Sequence, residues 1–353
     1  MANDSGTGTL RGYRSVSETA PAASGLRWLR GARICVLALG VAVGQSPAQR
    51  HGPAATSISV PAGPLIHFSV VASSSALANV NHDDATAAIR TWFDLMAKQR
   101  GLLVDSKIDI LETVPEIRGR LENHSTQMLI LTTADFLDLE NSRLLVPVLT
   151  HALTSVGNAP YSYLLLVNPS SRATTVADLR GKNVLASSRG GSNTANVWLD
   201  VLLSHESLGR AASFFGSVRV PEKAQACILA LFFGKVDACV VDEVNLNMAK
   251  EMNPQLGQLR VLARSRPMIG SVIATPLDPE PHRNELIDAI LALHTDPRGH
   301  QLLQLFKTER VVRIQPGDLD SARELFAEYH RLPGSSTIGP KGPGTTEKRP
   351  TER

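Results

Sequence analysis

Three cysteines in 353 residues, with no Cys-x-x-Cys pair and no metal-ligand spacing, leave too little material for a disulfide scaffold or a structural zinc site. The stretch from Ile34 to Gly44 is apolar for eleven residues, well short of the roughly 20 that a membrane-spanning helix needs. There is no Gly-x-Ser-x-Gly elbow, no His-Glu-x-x-His and no Gly-Lys-Ser/Thr phosphate loop, and the ten histidines are scattered among polar or turn-like neighbours. No catalytic residue, metal or cofactor is therefore expected. Aromatic residues are 5% of the chain. A dominant charge of one sign is missing too, because 36 basic residues face 33 acidic ones. Residues 1–48 hold five Arg against Asp4 and Glu18, and residues 341–353 hold two Lys and two Arg against two Glu. Without these ends, 27 basic and 29 acidic residues remain, a net charge of −2. A dedicated nucleic-acid binder concentrates positive charge on its folded part, so that class is excluded.

What is present is an ordinary globular mixture, 43% hydrophobic and 20% charged, long enough for two compact units. Arg27, Arg30 and Arg33 precede the apolar run, and Ser46-Pro47-Ala48 closes it. A charged flank, a short apolar core and a small-x-small ending fit a secretory signal over residues 1–48, cleaved after Ala48. Residues 49–64 read as a linker and 333–353, rich in Gly, Pro, Ser and Thr, as a disordered tail. No internal repeat is found. Cys227 and Cys239 sit in apolar helical and strand contexts and are expected as buried free thiols, with a disulfide after export as the alternative.

Between Leu65 and Leu332 short β-branched runs alternate with stretches of helical period. Strands are expected at 65–72, 107–111, 127–132, 144–149, 163–167, 183–186, 214–220, 236–241, 259–263 and 270–275. Helices are expected at 83–99, 115–121, 193–204, 222–233, 243–251, 279–294, 297–306 and 319–329. Such alternation implies parallel sheets covered by helices on both faces, in two α/β lobes. Ligands in that architecture bind at the carboxyl ends of strands, where helix N-termini converge.

Three turns hold candidate residues. Ser187-Ser188-Arg189-Gly190-Gly191-Ser192-Asn193-Thr194 leads from a strand into an apolar helix. Its hydroxyls and amide, beside the unpaired N–H groups of a first turn, suit an anion; they suit a plain N-cap equally. Ser73-Ser74-Ser75 after the first strand, and Thr132-Thr133 after the third, offer hydroxyls or merely a solvated loop. Asp242-Glu243 places two carboxylates at a strand-to-helix turn, for a ligand amine or for the helix terminus itself.

Several segments, in order, resemble a known family. Thr175-Val176-Ala177-Asp178-Leu179-Arg180-Gly181-Lys182-Asn183-Val184 is similar to the "dLkGK-v" lead-in to the second lobe of type-II periplasmic solute-binding proteins. The Gly191-Ser192-Asn193-Thr194 helix start comes next, then Gly234-Lys235-Val236-Asp237-Ala238-Cys239-Val240-Val241-Asp242, which resembles the "G-x-vDa-vvd" block. Residues 262–274 resemble the crossover back to the first lobe. The likeness is closest to the phosphate/phosphite/phosphonate-binding branch of ABC transporter components.

This resemblance implies a two-lobed, type-II periplasmic-binding-protein-like α/β fold: two parallel or mixed sheets flanked by helices, a two-strand hinge and Venus-flytrap closure, without enzymatic turnover. Lobe one would take residues 65–151 and 267–332 with the C-terminal helices, lobe two residues 152–266. Ser192, Asn193 and Thr194 would hold the oxyanion. Asp242 and Glu243 would lie near a ligand amine, and Glu222 before a second-lobe helix. Ser73, Ser74 and Thr132 would be the lobe-one contacts. Where phosphonate binders carry a Trp-Tyr-Gly-like turn after the third strand, this chain has Thr132-Thr133-Ala134-Asp135-Phe136, so a cleft without an aromatic wall is expected. The implied role is an exported, periplasmic, monomeric receptor that delivers a small anionic solute to an ABC permease. A sensing module of the same fold for a membrane kinase, or a small-molecule biosynthetic enzyme on that fold, are the alternatives.

Overall fold

The computed structural model describes residues 65–334 apart from 79, 100–102, 153–159, 189–191, 222 and 279–280, all within one unit of the chain, Ser59–Arg353. The expected signal segment, the linker and most of the expected tail lie outside the described residues. The chain first lays down β1 (Leu65–Ser73), α1 (His82–Gln99), β2 (Leu103–Leu111), α2 (Val114–Glu122), β3 (Met128–Thr132), α3 (Thr133–Glu140) and β4 (Leu145–Ala152). Then follow β5 (Tyr163–Val167), β6 (Asn183–Ala186), α4 (Thr194–His205), α5 (Ala211–Phe214), β7 (Ser217–Arg219), α6 (Ala224–Phe232), β8 (Ala238–Asp242), α7 (Glu243–Met252) and β9 (Arg260–Arg264). It closes with β10 (Ser271–Pro276), α8 (Arg283–Leu291), α9 (Pro297–Leu305), β11 (Arg310–Arg313) and α10 (Asp320–Arg331).

Two sheets result, β11-β4-β10-β3-β1-β2 and β7-β6-β8-β5-β9. Both are mixed. The strands joined through helices (β1 with β2 and β3, β6 with β7 and β8) pair in parallel, as a crossover helix requires. β10 arrives directly from the other sheet, so no crossover helix sets its direction, and it runs antiparallel to β3 and β4. Among the described residues, the two segments that pass between the sheets pair at Tyr161 and Met268, through backbone bonds of 2.9 and 3.0 Å.

Period-two alternation explains why each strand serves two cores. In the first sheet Val70, Met128, Leu149 and Ile273 face α1, α8 and α9, while Val71, Leu129, Leu131 and Val272 face α2 and α3. In the second, Tyr163, Leu165 and Val240 join Trp198 of α4, whereas Leu164, Leu166 and Val241 join α6 and α7. Local chemistry fixes the turns. Thr113 and Glu116 form a reciprocal capping box at α2. Asp178 accepts bonds from the backbone N–H groups of Thr174 and Thr175, which holds its carboxyl down at about 2. Gly181 then takes a φ of +73° that a side chain would resist.

The structure corrects several expectations. α3 and β11 were not foreseen, and the expected strand 214–220 shortens to Ser217–Arg219 behind the one-turn α5. Cys227 and Cys239 are bonded rather than free. α6 lies across β8 on one sheet face and brings their Cα atoms to 5.9 Å, within bridging range. The last helix, expected with lobe one, packs on α4 instead. Ala322, Leu325, Phe326 and Tyr329 form one helical stripe in the cluster that holds Val197, Trp198 and Val201. Arg210 stands 4.9 Å from the Tyr329 ring centre and His205 bonds Glu328 at 2.8 Å. From the same helix Arg323 reaches back to Glu140 of α3 in a two-oxygen pair, at 2.6 and 3.0 Å, and Arg266 of the crossing segment pairs with Glu324.

Candidate functional site

At the carboxyl end of β3 the first sheet changes from apolar to polar. Ile130 pairs with Ile273, and Ile273 with Leu149; two residues further along, Thr132 pairs with Ser271. His151 joins this polar row with its Nδ1 2.7 Å from the Ser271 hydroxyl, and Thr150 donates to the Ser271 carbonyl at 2.8 Å. Behind the row lies a cavity of about 190 Å³ between the sheet and helices α1 and α9. Val70, Met128, Ile130 and Ile273 form its floor, and Trp92, Phe93, Leu302 and Phe306 its roof. Ser75, Thr132, His151, Tyr161, Ser271 and Lys307 supply its polar lining. Gly270 is needed here, because a Cβ at that position would stand 2.6 Å from the Tyr161 hydroxyl oxygen.

Of the eight expected ligand residues that the structure describes, Thr132 alone lines this cavity. Three act as helix caps. The Ser73 hydroxyl accepts from the Ala76 N–H at 3.2 Å and that of Thr132 from the Asp135 N–H at 3.1 Å. Asp242, fully buried, accepts the backbone and side-chain N–H groups of Asn245 on its two oxygens. A hydroxyl that caps keeps its own proton for a further acceptor, whereas a carboxylate has none to give. Ser74 turns to Glu112 at 2.8 Å and Glu243 to Arg264 at 2.6 Å. Ser192, Asn193 and Thr194 do gather at the start of α4, where Thr194 donates to Ser192 at 3.2 Å and Asn196 to Asn193 at 2.7 Å. The cap there is Ser188, which accepts from the Ala195 N–H at 3.0 Å. Glu222 lies outside the described residues.

Sequence reasoning missed His151, Tyr161, Ser271 and Lys307. Trp92, Phe93, Tyr161 and Phe306 line the cavity as well. The aromatics come from α1, the crossing segment and the end of α9, and not from the turn after the third strand. Tyr161 also meets Tyr163 edge-on at 5.6 Å, and Tyr163 stacks on Trp198 of α4 at 6.3 Å. Through this chain Ala134, in the first turn of α3, and Ala195, in the first turn of α4, share one apolar cluster. The starts of two helices, one from each sheet, thus border the same apolar cluster. On α3, burial and then the Asp135 charge push the Asp138 carboxyl up to about 6, against the opposing pull of His330 and Arg118. Among the described residues no group of three His, Cys, Asp or Glu could hold a metal ion, and no helix is long and apolar enough to cross a membrane.

Two mixed sheets flanked by helices, linked by paired crossings with strand ends and helix starts at the junction, define the type-II periplasmic binding-protein fold. The chain belongs to a family of that fold: residues 75–319 match the family described as "ABC transporter, phosphonate, periplasmic substrate-binding protein". Solved structures agree at the level of the fold. XAC2383 from Xanthomonas citri, bound to chloride ion, superposes with a TM-score of 0.57 at 16% identity, covering 75% of this chain and 98% of that one. A binding-protein component of an ABC phosphonate transporter from Pseudomonas aeruginosa gives 0.52 at 13%, covering 76% and 87%. PhnD1 from Prochlorococcus marinus, in complex with methylphosphonate, gives 0.51 at 13%, covering 75% and 99%. Among curated proteins, none matches the sequence.

Proposed function

We propose that the protein is an exported, non-catalytic receptor that closes as a monomer around a small anionic solute, a phosphonate or phosphate-like oxyanion, and delivers it to an ABC permease. The observation that carries this reading is the junction itself, where α3 and α4 begin beside one shared apolar cluster. Helix starts carry partial positive charge and unpaired N–H groups, so each suits an anion without a metal. Thr132 from one sheet and Ser192, Asn193 and Thr194 from the other would donate the remaining bonds. Lys307 on the cavity lining is the nearby cation in this arrangement. Asp242 serves the fold rather than the ligand, since both its oxygens hold Asn245. Export is supported by the Cys227–Cys239 bond, because disulfides persist in oxidising compartments. The chain's similarity to a relative in complex with methylphosphonate supports the ligand class.

A thermal-shift panel with phosphate, phosphite, sulfate, methylphosphonate and aminoalkylphosphonates tests the reading. At 100 times its dissociation constant a ligand adds about 2.7 kcal/mol to the folded state. A rise with a phosphorus oxyanion that is lost in Ser192→Ala/Thr194→Ala supports the site. The absence of a rise with every oxyanion overturns it.

A further inference from the structure

The cavity under the polar row is larger and more apolar than an inorganic oxyanion can use. Folded interiors are packed to crystal-like density, and voids much larger than a water molecule are few. This one measures about 190 Å³. An apolar cavity of roughly 150 Å³ lined by Leu, Ile and Phe stays dry and takes up benzene. Its polar groups are also sorted by position. Met128, Ile130 and Ile273 lie on the floor, and Thr132 and Ser271 stand two residues further along the same strands, with His151 beside them. At the end of α9, Lys307 takes a φ of +50°, held by bonds from its own N–H to Gln304 and from the Thr308 N–H to Leu303, which sets an exposed cation beside the wall that Phe306 forms.

We infer that this cavity is the subsite for the hydrocarbon part of the solute: a ring or chain of about six carbons whose anionic group stays at the polar row. The inference rests on the reading that an anionic solute binds at the junction, and it narrows the substrate from inorganic oxyanions and methyl compounds to amphiphilic organic acids of the alkyl- or arylphosphonate kind. Trp92, Phe93 and Phe306 give flat surfaces for a ring, while Leu302, Leu303 and Ile290 fit a chain.

The test is calorimetric titration of the intact protein with methyl-, propyl-, hexyl-, decyl- and phenylphosphonate, accompanied by melting curves with cyclohexanol as a probe without a charged head. Affinity is expected to rise about fourfold per added methylene up to six carbons, to level off by decyl, and to be high for phenyl. Val311→Phe, which fills the cavity from the edge strand β11, is expected to bring the hexyl-to-methyl affinity ratio down at least tenfold. If that variant does not fold, the chain-length series on the unaltered protein decides alone. Equal affinity across the series overturns the inference and leaves the proposed receptor standing. If no phosphonate binds but cyclohexanol raises the melting temperature, the apolar subsite stands and the anionic head is overturned. If neither binds, both fall.

Discussion

Val70 and Val71 are neighbours on β1, both fully buried, and they point to opposite faces of one sheet. Val70 borders the cavity, and Val71 packs into the filled core under α2 and α3. Adding the same methylene at each position therefore separates empty from occupied space. At Val70, Ile places one more methylene in an apolar void, a gain of about 0.8 kcal/mol. At Val71 the same group has nowhere to go, and overpacking costs about 1–3 kcal/mol. Both residues are β-branched before and after, so strand propensity cancels. Val70→Ile should raise stability by about 1 kcal/mol and Val71→Ile lower it, with about 1–2 °C of melting temperature per kcal/mol in a protein of this size. Guanidinium unfolding with the disulfide intact measures both variants in one experiment. Equal destabilisation by the two would refute the reasoning, because it would mean that the Val70 side of the sheet holds no usable space.

Three other outcomes are expected. Closing the short loop between Cys227 and Cys239 limits the unfolded chain, so the double Cys→Ala variant should lose about 3 kcal/mol; thiol alkylation with mass analysis of the unaltered protein should find neither Cys227 nor Cys239 reactive. Asp138 titrates near 6 in the folded state against 3.8 in a free chain, so its contribution is fully present below pH 4 and is lost as pH rises through 6. Asp138→Asn should flatten that part of the stability profile and gain on the order of 1 kcal/mol at pH 7 after screening of this partly exposed group, and a wild-type profile with no slope there would count against it. Gly270→Ala drives a methyl into Tyr161 and should cost about 1–3 kcal/mol, read by thermal melting, together with a loss of solute affinity.

The fold was legible where a pattern was local. β5 and β6 fall on the residues that periodicity assigned them, since Tyr163-Leu164-Leu165-Leu166-Val167 is apolar on both faces and Asn183-Val184-Leu185-Ala186 is framed by turn chemistry. α3 went unseen because its eight residues follow β3 without a break, and Thr132 serves both the strand end and the helix cap. The direction of β10 depends on which sheet it comes from, which no local run of residues encodes. The candidate site was half legible. The start of α4 stood out by its glycines and hydroxyls. The cavity lining did not, since Trp92, His151, Tyr161, Ser271 and Phe306 lie far apart in sequence and look like ordinary helix, strand and loop residues until the sheet assembles them. Sequence alone does not separate a cap from a ligand contact at Ser73, Thr132 and Asp242, because a cap and an anion ask for the same polar atoms at the same place.

Helix α10 has a consequence for how the two halves of the molecule move. It is a third link beside the two paired crossings, fixed to α4 by four buried side chains, and to the helices of the first sheet by Leu319, buried at its start among residues of α2 and α3, and by the Arg323–Glu140 pair. Any opening of the junction must release one of these attachments. Stripping a single large apolar side chain costs about 1.5–3 kcal/mol, whereas a half-exposed ion pair is worth about 0–1 kcal/mol. If the proposed closure operates, the charged contact is expected to give way before the four buried side chains of α10 leave α4. Because dissolved salt weakens that contact from outside, the rest position of the molecule becomes a property of its medium. Even an uncharged solute should then bind with an affinity that changes with ionic strength, and Arg323→Ala should abolish that dependence. In that sense the receptor would register the saltiness of its surroundings along with the compound it holds.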